Sequence, residues 1–263
     1  MPQQIITHIV PAMLPQKDGA GDYALNLALG LRKQYGIQSN FLVCDPGRDG
    51  PARVEGFGIQ RLRVRNEACL WSLLAAVKKE GSALLLHYCA YGYHKQGIPF
   101  WLLRGINSWV EEQQTVSGGG GEFNTVFYGD MPSSTRPWQA EFCLRLMRRW
   151  LAEEIHRRSR LSIAINRNMR AFLDQVEPDK TTWLPLPGEG VALETGQPFD
   201  WNALAYQYRE LLFLQPPRPK SGAKVKAGAR DGLDLRPLPP YFAGASRVKQ
   251  PGGLNPRPAS VGE

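Results

Sequence analysis

The sequence is short of almost everything a metal, redox or nucleotide-cofactor site is built from. Its four cysteines, Cys44, Cys69, Cys89 and Cys143, form no CxxC pair and have no histidine cluster beside them. Zinc and a disulfide framework are therefore disfavoured, and small buried thiols are the expectation. No GxGxxG fingerprint and no Gly-Lys-Ser/Thr follow any glycine turn, so a dinucleotide fold site and a P-loop are not indicated. No apolar run reaches membrane-spanning length, and the N-terminus MPQQIITHIV lacks the basic and apolar regions of a signal peptide. A cytoplasmic address is the default expectation. Specific nucleic-acid binding is the weakest of the function classes. The net charge is +8, but Pro216 to Glu263 alone holds nine Lys/Arg against three Asp/Glu, and its only aromatics are the adjacent Tyr241 and Phe242.

What is present is alternation of strand and helix. Ile5–Val10 reads as a strand, followed by the glycine turn Asp18-Gly19-Ala20-Gly21. Asp22 stands at the expected start of a helix running to Tyr35 and ending at Gly36. Gln38–Cys44 and Phe57–Val64 read as strands, and Glu67–Lys79 as a helix. Ala83–Tyr88 (ALLLHY) is an apolar run of the kind buried on both faces of a parallel sheet. Pro99–Gln114 reads as a helix and Thr125–Tyr128 as a strand. The segment from Pro137 to about Arg158 follows with Phe142, Cys143, Leu146, Met147, Trp150, Leu151 and Ile155 on one helical face. Leu161–Ile165, Met169–Leu173 and Thr181–Leu184 complete another strand, helix and strand. The order predicts an α/β fold: one Rossmann-like, mostly parallel sheet with helices on both faces. The expected organisation is a domain over residues 1–187, a linker over 188–199 opened by Pro185-Leu186-Pro187-Gly188, a helix over 200–214, and a disordered basic tail over 215–263. Nine Pro and seven Gly from residue 216 onward give that tail little to bury.

Ligands in open α/β sheets bind outside the carboxyl ends of the strands, which selects the candidates. Gly19, Ala20, Gly21 and Asp22 form a strand-to-helix turn where a backbone can approach a phosphate or sugar, or simply turn tightly. His87 and Tyr88 end the apolar strand. His87 is a candidate general base or hydroxyl partner, with a histidine satisfied by a neighbouring loop as the equal alternative. Tyr91 and Tyr93 offer stacking faces or a loop cover. Asp130 follows NTVFY as a candidate acid/base carboxylate or a turn former. The four-glycine run Gly118–Gly121 reads as a connector. Arg145, Arg148, Arg149, Arg157, Arg158 and Arg160 offer a peripheral contact with anionic lipid, against which the interleaved Glu153 and Glu154 favour a solvated face. His8, His94 and His156 show no partner spacing.

Four segments resemble family 4 glycosyltransferases of the GT-B fold. They are DGAGDYALNLALGLR (Asp18–Arg32), LLLHYCAYGYHKQGIPFWLLRGI (Leu84–Ile106), FYGDMPSSTRPWQAEFCLRLMRRWLAEEIHRRS (Phe127–Ser159), and AINRNMRAFL ending at TTWLPLP (Ala164–Pro187). They occur in the family's order over roughly Ile5 to Pro187. The resemblance implies retaining transfer of a sugar from a nucleotide-sugar co-substrate to a sugar or glycan acceptor, with no metal or other cofactor. In such proteins the N-terminal domain mainly binds the acceptor. Gly19 and Gly21 would then face donor phosphates or acceptor, and His87 and Tyr91 would line the acceptor side. Where many relatives carry Phe-His-Glu, this chain has Phe127-Tyr128-Gly129-Asp130, so Tyr128 replaces a reaction-centre His and Asp130 is the candidate for the acidic role. The donor half, with its E-x7-E motif, has no counterpart: Glu189 and Glu194 have the wrong spacing. The segment from Asp200 resembles the family's closing helix. The implied protein is a glycosyltransferase reduced to its acceptor side, impaired alone and open to a separate donor domain. The alternatives are a non-catalytic interaction module or a degenerate reading frame.

Overall fold

A computed structural model describes residues 4–13, 18–47, 50–77, 82–117, 122–129, 140–184 and 200–214. Contacts divide the chain into Met1–Arg218 and Pro219–Glu263, and every described residue belongs to the first unit. The expectations for Gly118–Gly121, for Asp130, for the linker through residue 199, and for the tail beyond Leu214 lie outside the described residues.

The order is β1 (Ile5–Val10), α1 (Gly19–Tyr35), β2 (Gln38–Val43), β3 (Arg53–Val54), β4 (Phe57–Arg61), α2 (Glu67–Ala75), β5 (Ser82–Tyr88), α3 (Ala90–Tyr93), α4 (Phe100–Ser117), β6 (Phe123–Phe127), α5 (Ala140–Arg158), β7 (Leu161–Ala164), α6 (Arg167–Asp174), β8 (Thr181–Trp183) and α7 (Trp201–Arg209), which continues as a wider π turn over Glu210–Leu214. The strands form one sheet in the order β3-β4-β2-β1-β5-β6-β7-β8, parallel except for the short β3–β4 pair. This is the expected α/β Rossmann-like architecture.

Apolar strand sequences explain the sheet's position. β5, β6 and β7 are buried on both faces, which demands a helical layer on each side. The chain leaves β1 in one direction to β2 and later in the other direction to β5. Right-handed crossovers then place α1 on one face and α2, α4, α5 and α6 on the other. Under α1, two clusters of buried side chains meet the sheet. One joins Tyr23, Leu27 and Leu31 to Ile6, Leu85, Val126 and Ile163, and the other joins Ala24 and Ala28 to Val10, Phe41 and Phe57.

α7 completes the first of these clusters with Leu204, Ala205, Tyr208, Leu211 and Leu212. Asp200 starts it by accepting from the Asn202 and Ala203 amides at 2.9 and 3.2 Å. Its crossing with α1 is close because Gly30 has no side chain: a Cβ there would lie 3.3 Å from the Ala205 Cβ and the Trp201 carbonyl oxygen. At the far end, Arg160 donates to the Leu211 and Leu212 carbonyls, both at 3.2 Å, and so satisfies groups the helix end leaves open. The packing of this helix on α1 and the sheet is thus built from side chains on both partners.

Three local readings are corrected. The first helix begins at Gly19, three residues before Asp22, because Asp18 is the N-cap: its carboxylate accepts from the Gly21 amide at 3.1 Å. The glycine turn is therefore the first turn of α1. Of the cysteines, all free, only Cys44 is buried; Cys69 and Cys89 are half-buried and Cys143 is exposed. On α5 the buried apolar residues are Leu151, Ala152 and Ile155, with Arg148, Glu154 and His156 buried as well, whereas Phe142, Leu146, Met147 and Trp150 are half-buried.

Candidate functional site

The strand order reverses between β1 and β5, and in an open α/β sheet the crevice at that point is the favoured place for a ligand. Four pieces of chain converge there: the exit of β1, the first turn of α1, the α3 turn after β5, and Tyr128-Gly129 after β6.

The first turn of α1 is held tightly against the β1 exit. A Cβ on Gly21 would lie 2.3 Å from the Ala12 carbonyl oxygen, a backbone atom that cannot step aside. That close approach fully accounts for Gly21. Gly19 differs, since a Cβ there would meet nothing within 4 Å. Ala20 is buried and Asp22 half-buried. Burial pushes the Asp18 carboxyl above its ordinary range, opposed by its hydrogen bond from Gly21.

The α3 turn is fixed from below by Tyr93, which is fully buried. Its hydroxyl lies 2.9 Å from the His87 carbonyl and 3.1 Å from the Ile9 carbonyl, tying β5 to β1 at their ends. Arg65 holds the same turn from outside: its guanidinium donates to the Cys44 carbonyl at 2.8 Å and to the Tyr93 and Gly92 carbonyls at 3.3 Å. The sequence reading missed Arg65, because nothing in its local context marks three distant carbonyls. Between these anchors Tyr91 projects outward, 57% exposed. One of its ring faces is covered by the Arg148 guanidinium at 4.8 Å, itself fixed by the Gln96 carbonyl and Glu141. Tyr88 is not at the edge: it is 2% exposed, stacked on Tyr93 and set edge-on to Phe127 on the opposite face of the sheet from α1.

His87 has no exposed surface. Both ring nitrogens are engaged, Nδ1 with the Tyr128 hydroxyl at 2.7 Å and Nε2 with His8 Nδ1 at 2.9 Å. His8 in turn reaches the Ser39 hydroxyl with Nε2 at 3.3 Å and stacks on Phe41. A continuous line Ser39–His8–His87–Tyr128 therefore crosses β2, β1, β5 and the end of β6 beneath α1. Tyr23 covers it, edge-on to Tyr128, with its own hydroxyl 3.1 Å from that of Tyr208 on α7. Burial pushes the His8 imidazole down to about 3; it pushes His87 well below its ordinary value too, with His8 adding to the effect. Both rings are neutral at pH 7. Burial also raises the Tyr128 phenol, assisted by Tyr23. His8 carries no local signal, since its partners are 31 and 79 residues away. His156 is likewise engaged: its Nδ1 lies 2.7 Å from the Ser162 hydroxyl.

The arrangement separates the predicted residues into two sets. Gly19, Asp22, Tyr91 and half-buried Tyr128 keep exposed surface beyond the carboxyl ends of β1, β5 and β6, with His87 one hydrogen bond behind Tyr128. Ala20, Gly21 and Tyr88 are packed inside, and Asp130 lies outside the described residues. The arginine face of α5 is largely spent internally: Arg149 and Arg157 pair with Glu153, and Arg158 pairs with Glu154 at 2.8 Å. Among the described residues no group of three His, Cys, Asp or Glu is placed to hold a metal ion, and no helix is long and apolar enough to cross a membrane. No protein-family model matches the chain, and no curated protein matches it either.

Proposed function

We propose that this protein is a glycosyltransferase-family chain that binds a sugar or glycan acceptor at the β1/β5 edge and needs a separate donor unit for transfer. The observation that carries the reading is the exposed Tyr91 ring in the turn that leaves β5, beside the point where strand order reverses. A ring such as Tyr91, rigid on its Arg148 backing, suits the apolar face of a pyranose, and Tyr128 suits a hydroxyl. The return of α7 onto α1 agrees with the closing-helix resemblance. Retaining transfer requires stabilisation of a departing nucleotide, the kind of preorganised electrostatics that is usually the largest catalytic contribution. The sequence carries no E-x7-E for that purpose. The chain alone is therefore expected to bind acceptor and to turn over poorly.

A second reading, a non-catalytic binding module, is favoured by the burial of His87, whose two nitrogens are both occupied. One experiment separates the two. The full chain is incubated with common nucleotide-sugars and a glycan panel, with and without candidate donor-domain proteins, and released nucleoside diphosphate is measured. Glycan-dependent release that appears only with a donor unit supports the enzyme reading. Glycan retention with no release under any condition supports the binding module.

A further inference from the structure

The line Ser39–His8–His87–Tyr128 has a property that follows from counting protons. Each neutral imidazole carries one N–H, and the two rings meet nitrogen to nitrogen at 2.9 Å. If His87 carries its proton on Nε2, His8 must present a bare Nδ1 and therefore carries its own proton on Nε2, donating to Ser39. His87 Nδ1 is then bare and accepts from Tyr128. If instead Ser39 donates to His8 Nε2, His8 donates from Nδ1 to His87, and His87 donates from Nδ1 to Tyr128. Mixed arrangements set two protons or two lone pairs against each other inside the core, each leaving a buried polar contact unmade. Only two states remain, and in both the rings share one tautomer.

We propose that Ser39 and His8 are positioning residues that set, through His87, whether the Tyr128 hydroxyl donates or accepts toward a ligand. In the first state the Tyr128 proton points inward and its lone pairs are left for a partner. In the second its oxygen is held from inside and its proton is free. The ligand group matched to both states is one that gives and takes a hydrogen bond, a hydroxyl. The chain's members polarise one another, so the choice is collective. Other titratable groups acting on the line are Tyr23 on α1 and Tyr208 on α7, both phenols raised by burial and neutral at pH 7, and Asp18 and Cys89, which with Tyr23 raise the Tyr128 phenol further. This inference concerns proton placement and stands whether or not the ligand is a sugar.

Long-range proton–nitrogen NMR of the nitrogen-labelled full chain reads the tautomer of each ring, and two conservative variants drive the line in opposite directions. Ser39→Ala removes the partner of His8 Nε2. A buried bare nitrogen is less costly than a buried unpaired N–H, so both rings shift to the Nδ1–H form. Tyr128→Phe removes the partner of His87 Nδ1, and both rings shift to the Nε2–H form. The wild-type chain shows the two rings in the same form, or exchanging together between the two. Opposite tautomers in the wild type, or a variant that moves only the ring beside it, overturns the proposal. If Ser39→Ala fails to fold, the wild-type pattern and Tyr128→Phe decide it alone.

Discussion

Gly19 and Gly21 are two residues apart in the same helical turn and answer to different constraints. A methyl at Gly21 collides with the Ala12 backbone, and overpacking of this kind costs about 1–3 kcal/mol. Gly21→Ala is therefore expected to lower the urea midpoint clearly. Gly19→Ala meets open space and removes unfolded-state freedom, so it should leave stability unchanged or raise it by up to about 1 kcal/mol. Equal losses from the two would refute the close-approach account. The buried histidines make a second prediction. Both rings are neutral when folded, whereas in the unfolded chain they take up a proton near pH 6.5. Between about pH 6.5 and the folded value of about 3 for His8, the unfolded chain binds the extra protons. The stability is thus complete above about pH 6.5 and falls as the pH drops, by up to about 1.4 kcal/mol per pH unit for each ring. Urea titrations at pH 7.5 and pH 5 should show this loss, and a midpoint unchanged between them would contradict it. The sequence marked His87 by its place at the end of an apolar strand. It concealed His8, because the contact between them exists only once β1 and β5 lie side by side.

At the scale of elements, the strands that declared themselves were those whose apolar runs are buried on both faces, β5 above all. The strand order was not legible, because it depends on which way each crossover turns. The two-residue β3 and the four-residue α3 are too short to carry a period, and α3 is fixed by Arg65 from outside and by its own Tyr93 hydroxyl reaching the Ile9 carbonyl of β1. α7 was legible as an amphipathic helix, and its packing gives the element-level prediction. Tyr208 is fully buried against Tyr23, whereas Tyr206, two residues earlier, is 51% exposed. Tyr208→Ala should cost about 3–5 kcal/mol and remove hydrogen-exchange protection throughout α7. Tyr206→Ala should stay within about 0.5 kcal/mol of wild type. If both variants leave α7 protected, the helix does not depend on the Tyr23 contact.

Across the whole molecule, one sheet with a reversal of strand order between β1 and β5 places the exposed Tyr91 ring and half-buried Tyr128, with the buried line behind it, beyond the carboxyl ends of its strands. The class of fold could be read from alternation, and the edge from the general rule for such sheets. Which residues reach that edge could not be read: Tyr88 and Tyr91 are three residues apart on the same stretch of chain, yet one is core and the other surface. The account assigns glycan recognition to that edge, and the most direct test is retention of the full chain on an immobilised glycan panel beside Tyr91→Ala and Tyr206→Ala. The account predicts that the wild type and Tyr206→Ala bind the same glycans, and that Tyr91→Ala loses about tenfold or more in affinity, the equivalent of about 1.4 kcal/mol, with its melting temperature unchanged. Binding that survives in Tyr91→Ala, or no glycan retained by the wild type, would contradict it.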